Sequence, residues 1–116
     1  PSIYVSAYLL EREVSLKVYD PMVPTNRIKS DLKNYFVSKG LKINQVNKLL
    51  NNCLVCNSMK EAIFDSLHIA ILTKWDEFEN FNWISHINNS KCKPFVFDGV
   101  NVTKNKSHSN LYSLGN

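Results

Sequence analysis

The stretch His68-Ile69-Ala70-Ile71-Leu72-Thr73-Lys74-Trp75-Asp76-Glu77-Phe78 decides how this chain folds. From His68 to Leu72 it is a short apolar run rich in branched side chains, which reads as a strand buried on both faces. Thr73 breaks that register. Trp75 and Phe78 then fall at helical spacing, with Asp76 and Glu77 where the dipole of a helix N-terminus favours negative charge. Buried apolar side chains contribute about 1.5–3 kcal/mol each, so this strand is expected to carry a large share of the core. A strand running straight into a helix is half of a βαβ unit, and in open α/β sheets ligands sit at that edge.

Outward from this anchor the chain alternates helix and strand. Residues 1–12 favour a helix, because Ile3, Ala7 and Leu10 share one face and Pro1 suits a first turn. Val14 to Tyr19 alternates apolar and polar residues as a strand does, and Asp20-Pro21 stops it. Thr25 is placed to cap a helix carrying Ile28, Leu32, Tyr35 and Phe36 on one side, with Gly40 at its end. Ile43, Val46, Leu49 and Leu50 mark a short helix, Cys53 to Cys56 a brief strand, and Asn57-Ser58 the cap of a helix from Met59 to about Asp65. After the anchor, Phe78, Phe81, Trp83, Ile84 and Ile87 are expected to face inward from helical turns. Pro94-Phe95-Val96-Phe97 is a strand ended by the turn signal Asp98-Gly99. Residues 101–109 read as polar loop, and residues 111–114 as an edge strand before Gly115.

Strands separated by helices imply an α/β domain with a mostly parallel sheet and helices on both faces. The 116 residues are enough for one domain, and no internal repeat divides them. A doubly wound domain normally opens on a strand, whereas this chain opens on a helix. A leading strand is therefore expected to be missing, its place beside residues 14–19 set by right-handed crossovers.

Composition removes several function classes. No apolar run approaches the roughly 20 residues of a membrane span, and no signal-peptide pattern opens the chain, so a cytoplasmic protein is expected. The formal net charge is +4, but Lys and Arg are scattered among acids, which describes a solvated surface better than a nucleic-acid interface. Cys53 and Cys56 are three apart in a strand segment, so their sulfurs should point to opposite faces; with Cys92 alone, buried free thiols are the expectation rather than a metal site. His68, His86 and His108 are isolated and read as structural.

Leu72-Thr73-Lys74-Trp75-Asp76-Glu77-Phe78, followed by Pro94-Phe95-Val96-Phe97-Asp98-Gly99, resembles the C-terminal domain of UDP-glucose dehydrogenases. Ser2-Ile3-Tyr4-Val5-Ser6-Ala7-Tyr8-Leu9-Leu10, Val18-Tyr19-Asp20-Pro21-Met22-Val23-Pro24, Leu54-Val55 and Glu61-Ala62 fall in step with the same family. The resemblance implies a Rossmann-like, three-layer αβα domain that binds a UDP-sugar such as UDP-glucose. In that family the sugar's primary alcohol is oxidised to a carboxylate with two NAD⁺. The Gly-rich dinucleotide loop, the catalytic cysteine and the central dimerising helix lie upstream of this domain in that family, and NAD is bound mainly by the N-terminal part. This chain has no G-x-G-x-x-G, so it is expected not to turn over substrate alone. The resemblance further implies a homo-oligomer.

The expected ligand-edge residues are Thr73, Asp98, Gly99 and Asn101, where strand C-termini converge; turn or helix capping is the competing reading for Thr73 and Asp98. Two positions depart from the family. Val100 stands where the family carries an arginine that reaches the UDP-sugar, and Lys74 replaces an acidic residue. Valine cannot supply an arginine's paired, charged hydrogen bonds to phosphate. The family's phenylalanine–lysine pair would precede Pro1. Lys74 or Asn101 could compensate. The other readings are a Rossmann-like interaction module without a ligand, and a dehydrogenase for a different nucleotide sugar.

Overall fold

The computed structural model describes residues 2–114. Pro1 and Gly115, which the sequence places at a helix start and after the last strand, lie outside them. The chain divides into two compact units, Pro1–Phe64 and Asp65–Asn116, each with its own parallel sheet.

The first unit contains α1 (Ser2–Glu11), β1 (Leu16–Val18), α2 (Thr25–Ser38), α3 (Ile43–Leu50), β2 (Cys53–Val55) and α4 (Met59–Ile63). Its core gathers Ala7 and Leu10 of α1, Ile28, Leu32 and Phe36 of α2, Val46 of α3 and Cys53 of β2. The α2 residues recur every four positions, so one stripe of that helix is apolar and the rest is wet. β1 and β2 pair in parallel with Leu16 opposite Cys53 and Val18 opposite Val55. Ser58 caps α4 as its sequence implies, its hydroxyl accepting from the Glu61 amide at 3.1 Å. Gly40 follows the α2 C-cap at φ 87°, a left-handed conformation that costs glycine little.

One local expectation is corrected in this unit. Thr25 is not the α2 cap but its first residue; Pro24 holds the cap position with extended ψ and no side-chain bond, its carbonyl accepting from the Arg27 and Ile28 amides. Cys53 in β2 and Cys56 just past its end are buried free thiols, as the sequence suggests.

The second unit contains β3 (His68–Ile71), α5 (Asp76–Asn80), α6 (Trp83–Asn89), β4 (Phe95–Asp98) and β5 (Leu111–Ser113). The strand order is β3-β4-β5 and every pair is parallel. Ile71 stands opposite Asp98, and Asp98 opposite Ser113. Ile71, Phe78, Trp83, Ile87, Val96 and Leu111 are buried, and the Trp83 indole donates to the Phe78 carbonyl at 2.8 Å. Phe81 and Ile84 are only half-buried. β3 is not buried on both faces: His68 and Ala70 are exposed, Ile69 is half-buried, and only Ile71 is fully covered. The next strand explains this. Phe95 and Phe97 of β4, with Tyr112 of β5, are exposed beside them, and Phe95 stacks between His68 (5.8 Å between centroids) and Tyr112 (6.4 Å). Those rings stack across the three strands on the open face of the sheet.

Candidate functional site

Parallel register brings the sequence-predicted residues to one end of the second unit. The Gly99 amide donates to the Ile71 carbonyl at 3.0 Å, extending the β3–β4 ladder one residue beyond Asp98. Thr73 lies two residues past Ile71 and Asn101 two past Gly99, so both loops leave the same carboxyl edge. A side chain on Gly99 would meet the Ile71 carbonyl oxygen and the Phe97 ring edge, each at 3.3 Å. Glycine fits this close approach of the two strand ends, and any side chain there would press on both neighbours.

Asp98 is the best-defined group at this edge. It is fully buried, and its carboxylate accepts from the amides of Val100 (3.2 Å), Val102 (3.2 Å) and Thr103 (2.8 Å) and from the Thr103 hydroxyl (2.6 Å). Burial would raise its pKa, but the bonds from Thr103, Val102 and Val100 outweigh that and hold the carboxyl below its ordinary value. The turn is completed by Asn101 at φ 60°, a left-handed conformation that asparagine tolerates better than most residues. Successive amides folded around an anion form a nest, and here the anion is the chain's own aspartate. Of the two sequence readings of Asp98, turn capping describes its bonds. Thr73 caps nothing: Trp75 is the residue before α5. Val102 and Thr103, assigned from sequence to a polar loop, are buried.

The surroundings of this edge are partly unmatched. Trp75 Nε1, Asn101 Oδ1 and Ser113 Oγ are buried and have no hydrogen-bond partner among the described residues. Buried polar atoms are almost always paired, so three at the ends of neighbouring strands distinguish this edge. Lys104, in the turn after Thr103, bonds Glu79 of α5 at 2.7 Å. No sequence signal joined those two, which are separated by a helix and a strand. An open groove of about 520 Å³ runs beside β5, with Phe97, Lys106, Tyr112 and Leu114 on its walls; Thr73, Gly99 and Asn101 do not line it.

Nucleophile and metal chemistry find little support. Burial raises the pKa of Cys53, and burial together with Glu61 pushes Cys56 up to about 11, so both thiols are protonated near neutral pH. Among the described residues no group of three His, Cys, Asp or Glu side chains is gathered to hold a metal. No helix among them is long and apolar enough to cross a membrane. The described residues do not fit a dinucleotide phosphate loop either. Gly40 ends a helix and Gly99 locks two strand ends, and neither opens a helix after a strand.

Against known proteins, residues 1–105 match the model of the UDP-glucose/GDP-mannose dehydrogenase family, UDP binding domain. The chain belongs to this family. It is 34% identical over 115 residues to the UDP-glucose 6-dehydrogenase of Gallus gallus, covering 98% of this chain and 22% of that protein. The Bos taurus enzyme of the same name gives the same identity and coverage. UDP-glucose 6-dehydrogenase 2 of Arabidopsis thaliana is 32% identical over 105 residues, covering 88% of this chain and 22% of its own length. The chain thus spans about a fifth of the relatives it matches, and the matched part is the UDP binding domain with a Rossmann-like α/β fold.

Proposed function

We propose that the chain binds the UDP part of a nucleotide sugar at the carboxyl edge of β3, β4 and β5. In this reading it presents the sugar to an NAD-dependent oxidoreductase site supplied by other parts of the polypeptide. Thr73, Gly99 and Asn101 form the ligand rim, and Asp98 shapes it from beneath. The single observation that carries the reading is the bond from the Gly99 amide to the Ile71 carbonyl, which joins the two strand ends from which those loops emerge. The unmatched Trp75, Asn101 and Ser113 atoms support it, because a ligand's polar edge is what such groups complement. UDP-glucose is the proposed substrate of the whole enzyme, on the strength of the relatives' names. A cytoplasmic homo-oligomer is proposed with it.

Titrating UDP and UDP-glucose while following backbone amide shifts tests this. Saturable changes centred on Thr73, Gly99 and Asn101 are expected, and flat spectra at millimolar UDP would end the reading. With NAD⁺ and UDP-glucose the chain alone is expected to give no NADH absorbance. A second reading, an interaction module without a ligand, draws on the exposed ladder of Phe95, Phe97 and Tyr112. It predicts silence to UDP.

A further inference from the structure

One lysine bonds a carboxylate at this edge, and a second stands in a neighbouring connection. Lys104 Nζ lies 2.7 Å from Glu79 Oε2, and both side chains reach solvent. Lys74, in the connection between β3 and α5, adds its charge to the same group. The hydrogen bond from Lys104, with the charges of Lys104 and Lys74, holds the Glu79 carboxyl below its ordinary range. Exposed ion pairs contribute little to folding, so stability does not account for this arrangement.

A diphosphate brought to the rim needs donors and positive charge. The amides of Val100, Val102 and Thr103, which would otherwise form a phosphate nest, already serve Asp98. Val100 offers no charge. Lys91 and Lys93 precede β4 and so belong to the opposite end of the sheet, where Lys93 donates to the Asn88 carbonyl. Lys106 stands farther along the loop, on the groove beside β5. Among the described residues, Lys74 and Lys104 are the cations at this edge that act on Glu79.

We propose that Lys74 and Lys104 bind the diphosphate of the nucleotide, and that Glu79 is an internal stand-in anion which the diphosphate displaces. The proposal rests on the reading that this edge binds UDP, and adds which charges recognise it and what they must release. Lysine suits this exchange: its ammonium is a point charge on a flexible stem, able to leave one oxygen anion for another without a fixed fork geometry. A diphosphate carries more charge than one carboxylate and spans two ammonium groups, so it wins the competition.

The test is calorimetric titration of the chain with uridine, UMP and UDP. Affinity is expected to rise from uridine to UDP and to fall with added salt for UDP alone. Lys74→Gln and Lys104→Gln should each weaken UDP by about tenfold and leave uridine unchanged, while Lys104→Arg should retain binding. Glu79→Gln should tighten UDP several-fold, because it frees Lys104. A purely structural ion pair predicts the opposite for Glu79→Gln. UDP binding that is unchanged in both lysine variants, or weakened by Glu79→Gln with thermal melting unaltered, overturns the proposal and leaves UDP recognition standing. Absence of UDP binding by the unaltered chain overturns both.

Discussion

Thr103 closes on Asp98 twice, its amide at 2.8 Å and its hydroxyl at 2.6 Å from the same carboxylate oxygen. With Val100 and Val102 on the other oxygen, one buried side chain organises the whole turn after β4. Asp98→Ala strands three amides and a hydroxyl. Unsatisfied buried donors cost about 1–3 kcal/mol each, and relaxation will re-solvate some, so a loss of about 3 kcal/mol is expected in urea unfolding. Asp98→Asn keeps one acceptor oxygen and should lose less. Thr103→Ser, which retains the hydroxyl, should melt close to the unaltered chain, and Thr103→Val should not.

The same carboxylate sets an acid limit. Its folded pKa lies below the unfolded value, so the charged form is the one that folding favours. The stabilisation is complete above the unfolded pKa of about 4 and is lost as pH falls through the folded value. Melting temperature should therefore decline below about pH 4, and the decline should flatten in Asp98→Asn. Glu79 is shifted the same way but its partner Lys104 is exposed and both reach solvent, so its share should shrink in high salt while that of Asp98 remains.

What could be read from the residues alone follows from the range of each interaction. Parallel pairing of the Ile71 and Val96 segments was legible because an intervening helix leaves a short crossover few other choices. The Ser58 cap was legible because cap and helix are contiguous. Thr25 misled because proline, one residue earlier, already supplies the non-helical backbone that a cap needs. An apolar run such as residues 68–72 fixes a strand but not which of its faces is covered, and here His68 and Ala70 are open. The aim of Asp98 at Val102 and Thr103 depends on the left-handed turn at Asn101, which no periodicity announces. The Lys104–Glu79 pair requires a turn to meet a helix distant in the chain, and only the fold brings them together.

Gly99 should tolerate no side chain without a shift of the rim. A methyl group there stands 3.3 Å from the Ile71 carbonyl oxygen, which belongs to the ladder and cannot swing aside, and 3.3 Å from the Phe97 ring, which can. Overpacking of this order costs about 1–3 kcal/mol, and the lower end is expected because one neighbour yields. The more telling readout is local: Gly99→Ala should move the amide shifts of Thr73 and Asn101 and weaken UDP more than it lowers the melting temperature. Unchanged UDP affinity would detach Gly99 from the rim.

The ladder of Phe95, Phe97 and Tyr112 gives the last prediction. Phe97 alternates with the buried Val96 and Asp98, so its ring stands on the opposite face of β4, where it is 42% exposed. A buried phenylalanine truncated to alanine costs about 3–5 kcal/mol, much of it for the cavity left behind. Phe97→Ala leaves a gap open to water rather than a closed cavity, because the ring is 42% exposed, and a loss well below that of a buried phenylalanine is expected by urea unfolding. Val96→Ala, a smaller deletion on the covered face, should cost more despite removing fewer atoms. The two substitutions sit on adjacent residues of one strand that face opposite sides, and burial is the main difference between their sites. A loss at Phe97 equal to that of a core aromatic would mean that this face is covered in solution, and self-association measured by sedimentation would then be the first explanation to examine.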